Sequence, residues 1–364
     1  MSLAPARGSD QRHTPPHNPL GTAGFEFVEF TADNTNTLGP LFESLGFTAV
    51  AKHRTKNVIR YQQGDINFLI NCERRAQALQ FREQHGRSAC AMAFRVEDAQ
   101  KAFRLARERG AEAYQREKVS PLELNIPAII GIGGSLIFLV DRYGDRSIYD
   151  TDFKSIAKPG QNDVGLKTID HLTHNVYPGH MDQWAAFYER IFNFREIHYF
   201  DIRGKQTGLT SRAMTSPCGK IKIPINESED EQSQINEYLR DYRGEGIQHI
   251  ALTTEDIYST IDKLRGNGIK FLDVPDTYYD VVDERLPGHG EPIAALKQRR
   301  ILIDGQYVEG KPSLLLQIFT ENLIGPIFFE IIQRKGDEGF GEGNFQALFD
   351  AIERDQIKRG VLKP

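Results

Sequence analysis

His249-Ile250-Ala251-Leu252-Thr253-Thr254-Glu255-Asp256 decides the fold, because the chain contains its pattern twice. Ala91-Met92-Ala93-Phe94-Arg95-Val96-Glu97-Asp98 is the earlier copy. In both, an apolar strand runs into an Asp, and a Gly follows twelve residues later, at Gly110 and Gly268. A Gly at that place reads as the left-handed terminator of a helix. Upstream of each copy lies a second repeated pair. Phe25-Glu26-Phe27-Val28-Glu29-Phe30 alternates as a strand and precedes a helical stripe at Leu38, Leu41, Phe42 and Leu45. Ile169-Asp170-His171-Leu172-Thr173-His174-Asn175-Val176 does the same before Met181, Trp184, Ala185 and Tyr188. The chain therefore reads as four strand–helix–strands modules in two pairs. The expected class is α+β: two tandem open, barrel-like domains, each of two βαβββ modules, with helices outside.

The polar, turn-rich run Lys154-Ser155-Ile156-Ala157-Lys158-Pro159-Gly160-Gln161-Asn162 separates the pairs, giving domains over 21–155 and 165–364. Residues 1–20 are Pro-rich and polar and read as a disordered tail. With 364 residues, 39% hydrophobic and 26% charged, the chain has ample material for two cores. A net charge of −5 gives no sign of a polyanion-binding surface, so no nucleic-acid partner is expected. No apolar run has membrane-spanning length, and no membrane partner is expected. Cys72, Cys90 and Cys218 are too few and too scattered for a disulfide framework or a thiolate zinc site, which suits a reducing, cytoplasmic setting. The N-terminus lacks the charged-then-apolar order of a signal peptide.

The repeat lets one half serve as a control for the other. His171 and His249 occupy equivalent strands of the second half, where the first half has Phe27 and Ala91. Pro326-Ile327-Phe328-Phe329-Glu330-Ile331-Ile332 is an apolar strand holding one carboxylate, and its counterpart Leu136-Ile137-Phe138-Leu139-Val140 has none. A buried carboxylate is costly unless paired or bound to a metal. Two imidazoles and a carboxylate converging in one cleft make the open-sided triad of non-haem iron(II) oxygenases. His174 is odd-spaced from His171 and should face away. The remaining histidines fall in the tail, loops or outer segments and read as solvated. Near the end, Gly336-Asp337-Glu338-Gly339-Phe340-Gly341-Glu342-Gly343-Asn344 lacks the Lys and Ser/Thr of a phosphate loop. Phe345, Leu348, Phe349 and Ile352 then form an amphipathic stripe, read as a lid helix over 344–360 with Phe340 and Phe345 toward a ligand. The run from Tyr278 to Arg300 gives no assignable pattern.

The segments around His171, Pro224-Ile225-Asn226-Glu227, Gly246-Ile247-Gln248-His249, Leu315-Leu316-Gln317-Ile318-Phe319-Thr320, Phe329-Glu330-Ile331-Ile332-Gln333-Arg334 and Gly339-Phe340-Gly341-Glu342-Gly343-Asn344-Phe345 together resemble the 4-hydroxyphenylpyruvate dioxygenases of the vicinal-oxygen-chelate superfamily. The likeness runs through nearly all of 165–362 and is looser over the first half, which is expected to be non-catalytic. It implies one Fe(II) per subunit, held by His171, His249 and Glu330 as the catalytic centre. By the same resemblance Ser211, Asn226, Gln248, Gln317, Phe319, Phe328, Phe340, Asn344 and Phe345 line the substrate pocket. The implied activity converts 4-hydroxyphenylpyruvate and O2 to homogentisate and CO2 by oxidative decarboxylation, ring hydroxylation and side-chain migration, in tyrosine and phenylalanine catabolism. A homodimer or homotetramer is expected. The nearest alternative is 4-hydroxymandelate synthase, with the same iron and substrate; Phe345 and the Pro224-x-Asn226 run speak for the ring-hydroxylating enzyme. A metal-free ligand-binding module of the same fold is the alternative from another class.

Overall fold

Apolar and β-branched runs form the strands, and the computed structural model describes residues 17–115, 123–203, 207–341, 343–345, 353, 356–357 and 359–363. The first half runs β1 (Thr22–Thr31), α1 (Gly39–Ser44), β2 (Thr48–His53), β3 (Val58–Gln63), β4 (Ile66–Asn71), α2 (Ala76–His85), β5 (Ser88–Val96), α3 (Ala99–Glu108), β6 (Ala128–Ile130), β7 (Leu136–Val140), α4 (Ile148–Asp152) and β8 (Phe153–Ser155). The second runs β9 (Leu166–Asn175), α5 (Met181–Phe192), β10 (Arg195–Arg203), β11 (Gly208–Thr215), β12 (Lys222–Glu227), α6 (Gln234–Tyr242), β13 (Gly246–Thr254) and α7 (Ile257–Gly266). Three short helices follow, α8 (Asp276–Tyr279), α9 (Val282–Arg285) and α10 (Ile293–Arg299), then β14 (Leu302–Val308), β15 (Lys311–Phe319) and β16 (Phe328–Lys335).

Each half forms one eight-stranded sheet, and the strand orders show the duplication directly. The order β6-β7-β5-β1-β4-β3-β2 in one matches β15-β16-β13-β9-β12-β11-β10 in the other. The odd strands out are β8, beyond β2, and β14, beyond β15. In the second module of the first half, a single bridge from Ala113 to Ile129 stands beside β6 where the second half has the full β14. No described helix is long and apolar enough to cross a membrane.

The strand period of two sends alternate side chains into different surroundings. One set, including Phe30, Phe68, Leu172, Ile250 and Phe329, joins residues of the helices in a core continuous across both halves. Phe68 and Phe329 meet across that junction with ring centroids 6.0 Å apart. The other set lines the inner face of each sheet, as Phe27, Ala91 and Phe138 do in the first half. The matched helices are capped alike. Asp98 accepts a hydrogen bond from the Lys101 amide and Asp256 from the Ser259 amide. Gly110 and Gly268 close the same helices at φ 89° and 88°, where a side chain would be strained.

The structure departs from the sequence reading at several places. Leu20, in the stretch read as tail, is buried in the core. His53, His85 and His289 are buried rather than solvated. His85 places Nδ1 2.8 Å from the Tyr242 carbonyl and stacks on that ring, tying α2 to α6. Most of the stretch read as a lid helix over 344–360 lies outside the described residues. Replacing Asp98 or Asp256 by Ala should cost about 1 kcal/mol each. Urea unfolding of the two single variants checks this, and unequal losses would break the equivalence of the two caps.

Candidate metal centre

Three neighbouring strands, β9, β13 and β16, supply the site. Across β13, Ala251 lies opposite both His171 on β9 and Glu330 on β16. A methyl side chain there leaves room for the imidazole and the carboxylate to lean together from either side. His249, two residues from Ala251 on the same strand, shares its face and completes the group. The Nε2 of His171 lies 3.1 Å from Glu330 Oε2, and that of His249 lies 3.5 Å from it. One donor atom from each of the three lies within 4.8 Å of the others, and all three residues are buried. Phe329 and Ile331, on either side of Glu330, point into the shared core. His174 faces that side too: its Nε2 is 2.8 Å from the Tyr188 hydroxyl, and burial pushes its pKa down to about 3.

The surrounding hydrogen bonds engage Nδ1 of both imidazoles and turn Nε2 of each toward Glu330. His171 donates from Nδ1 to Asp170 Oδ1 at 2.9 Å. His249 places Nδ1 3.0 Å from Gln248 Oε1, which fixes the same tautomer. Thr173 Oγ1 lies 2.9 Å from His249 Nε2. Asp170 is in turn gripped by Arg334, with Nε and Nη2 both at 2.8 Å. Burial alone would raise the Asp170 pKa; the Arg334 bonds and His171 hold it well below the usual carboxylate range. Glu330 behaves alike: burial raises it, but the adjacent imidazoles overcome that and hold it down to about 2. Its Oε1 accepts from Gln317 Nε2 at 2.8 Å. Gln317 Oε1 accepts from Asn344 at 2.9 Å, and Asn344 Oδ1 from the Tyr278 hydroxyl at 2.7 Å.

Ser211, Asn226, Gln248, Phe319, Phe328, Phe340 and Phe345 line the space beside the triad. Gln317 and Asn344, read as pocket residues, stand behind Glu330 as the relay just described. Phe328 stacks on His249 at 4.8 Å, and Phe340 meets His171 edge-on at 5.4 Å. Phe345 abuts Phe200 at 4.8 Å. Thr173, Ile202, Leu209, Gln234 and Ile235 also line the space and escaped the sequence reading. Thr173 was within reach, since it is two residues from His171 on one strand. Gln234 and Ile235 open α6, a helix whose Ser233 cap was the unread signal.

Arg334 also donates to the carbonyls of Asp337 and Gly339, at 2.9 and 2.6 Å, and so fixes the loop that carries Phe340. Gly341, at φ 76°, lies so close to Gln317 that a Cβ would stand 1.8 Å from its Oε1. Beyond the loop, Glu353 accepts from the Thr207 amide and hydroxyl, and Gln356 donates to Glu237 on α6 at 2.8 Å. The donor set fits a divalent transition metal: two imidazoles and one carboxylate, buried and oriented from behind, as non-haem iron sites require.

Comparison with known proteins agrees with this geometry. Residues 17–154 match the N-terminal family model of hydroxyphenylpyruvate dioxygenase, and 168–281 match the glyoxalase, bleomycin resistance protein and dioxygenase superfamily. The chain is 60% identical over 351 residues to a 4-hydroxyphenylpyruvate dioxygenase of Pseudomonas aeruginosa, covering 95% of this chain and 98% of that one. It is 62% identical over 352 residues to hemolysin VllY of Vibrio vulnificus, with the same coverage. Among solved structures, a mutant of 4-hydroxymandelate synthase from Streptomyces coelicolor superposes with a TM-score of 0.80 at 25% identity, over 92% of this chain and 99% of that one. Sheet duplication, buried triad and full-length identity lead to one conclusion: the chain belongs to the 4-hydroxyphenylpyruvate dioxygenase family.

Proposed function

We propose that the chain converts 4-hydroxyphenylpyruvate and O2 to homogentisate and CO2, with Fe(II) held by His171, His249 and Glu330. On this reading 165–364 is the catalytic domain and 21–155 a non-catalytic partner. The observation that carries it is the chemistry of the lining. Among the described residues no Lys or Arg lines the space, and its polar members beyond the triad are Thr173, Ser211, Asn226, Gln234 and Gln248. A substrate carboxylate therefore has no protein cation to meet and must be matched at the metal. Two neutral imidazoles and one carboxylate leave a divalent ion with one positive charge, which suits the single carboxylate of a 2-oxo acid. The other end of the substrate must be uncharged and aromatic, as a phenol is.

When bound, Fe(II) supplies the electrons and the O2 activation that decarboxylation and ring hydroxylation need. The protein supplies position. Phe328 and Phe340, packed on the two imidazoles, set the plane for the phenol ring, with Phe319 and Phe345 closing the sides. Ser211 and Asn226, directly opposite on β11 and β12, and Gln248 offer neutral hydrogen bonds. Gln317 and Asn344 act one step out by holding Glu330. The aromatic walls exclude water around the bound substrate.

Anaerobic loading with Fe(II), then 4-hydroxyphenylpyruvate, then O2, should yield homogentisate with equimolar CO2, and Glu330→Ala should abolish both. Hydroxymandelate as the product would keep the site and overturn the ring-hydroxylating assignment. Arg334→Gln should weaken Fe(II) binding by about 10- to 100-fold, because it frees the carboxylate that orients His171. A metal titration of the apo-protein measures this. Gly341→Ala should displace Gln317 from Glu330 and lower kcat more than it raises KM, which steady-state kinetics on the loaded enzyme will show.

A further inference from the structure

The first half keeps a concave sheet face while lacking every metal ligand. Aligning the two sheets by strand partners puts Phe27 at the place of His171, Ala91 at that of His249 and Phe138 at that of Glu330. Phe27 and Phe138 meet there with ring centroids 5.6 Å apart, so hydrocarbon stands where the ion would. The face is nevertheless not filled. Beside these rings lies a cavity of about 440 Å3, against about 50 Å3 at the triad. That volume falls in the range of small-molecule sites.

The walls are built rather than left over. The α4 helix and β8, added beyond the shared topology, bring Ile148, Asp152 and Phe153 to the cavity. Asp152 is only 6% exposed. Its Oδ1 accepts from the Leu124 amide at 3.0 Å, and Oδ2 has no hydrogen-bond partner among the described residues. That oxygen keeps access to the cavity, where a donor can reach it. The full cations of the lining are matched there: Lys56 lies 2.7 Å from Glu123 and Arg75 3.5 Å from Glu73. Among the described residues, the lining carries the carboxylates Glu29, Glu73, Glu123 and Asp152 and the full cations Lys56 and Arg75, with His53 beside them.

We propose that this cavity is a second small-molecule site and that it takes an aromatic amine. The ring packs against Phe27, Phe138 and Phe153, and the ammonium donates to Asp152. An aromatic acid of the same size would meet the excess negative charge and be rejected. The site is separate from the metal centre, and the inference uses no property of that centre.

Tyramine and 4-hydroxyphenylacetate are the probes, titrated calorimetrically into the full chain loaded with Fe(II) under anaerobic conditions. Tyramine should bind with one site per chain, without displacement by saturating 4-hydroxyphenylpyruvate, and the acid should not bind beside it. Asp152→Asn, which keeps the shape of the side chain, should weaken tyramine by roughly tenfold while turnover of 4-hydroxyphenylpyruvate stays unchanged. Val58→Phe, which fills the cavity from β3, should abolish binding even if Asp152→Asn proves unstable. Absence of saturable tyramine binding, its displacement by 4-hydroxyphenylpyruvate, or an unchanged Kd in a folded variant would each overturn the proposal.

Discussion

Everything functional in this chain depends on the two-residue period of a strand held between two different surroundings. Around the triad, side chains of β9, β13 and β16 alternate between the core shared by both halves and the concave side, and bulges interrupt the alternation, as where Gln248 and His249 both line the site. A single-residue slip of β16 would carry Glu330 into that apolar core and Phe329 onto the metal site. The cost of burying an unpaired carboxylate opposes the slip, and the loss of Phe329 and Ile331 from the core opposes it again. Register and metal geometry are thus one constraint, with Ala251 as the small side chain that makes the convergence sterically possible.

Much of this was readable from the chain alone because duplication turns one half into a control for the other. The Asp and Gly that bound α3 and α7 carry their own local signals, and strand parity correctly separates His171 from His174. The residues that were missed share a physical reason. Asp170 and Arg334 are charged residues at strand positions, which in a sequence look like solvated surface. Only the fold shows that their side chains pair with each other, largely out of water, behind His171. The hydrogen bonds that tie Gln317 and Asn344 to Glu330 were likewise out of reach, because no pattern of spacing reveals which side chain stands behind a carboxylate.

Histidine was the residue type most poorly read one at a time. His53 and His85 lie at the ends of a strand and a helix, where polar side chains usually reach water. Here the first packs edge-on against Phe153 and the second stacks on Tyr242 from the other half. Both burials are set by elements distant in sequence. In the first half, the added α4 and β8 reshape the concave face that has lost the ligand positions, which no reading of those positions alone reveals.

Arg334 holds the Asp170 carboxylate with one edge of its guanidinium and the carbonyls of Asp337 and Gly339 with another. A planar, rigid fork cannot serve one edge without orienting the other. The aromatic loop and the imidazole of His171 are therefore thermodynamically linked. Whatever factor an ordered loop contributes to affinity for the ion, the bound ion must return to the ordering of the loop. Binding of the ion and order in the aromatic loop each strengthen the other, so the wall of the pocket answers to the occupancy of the site behind it.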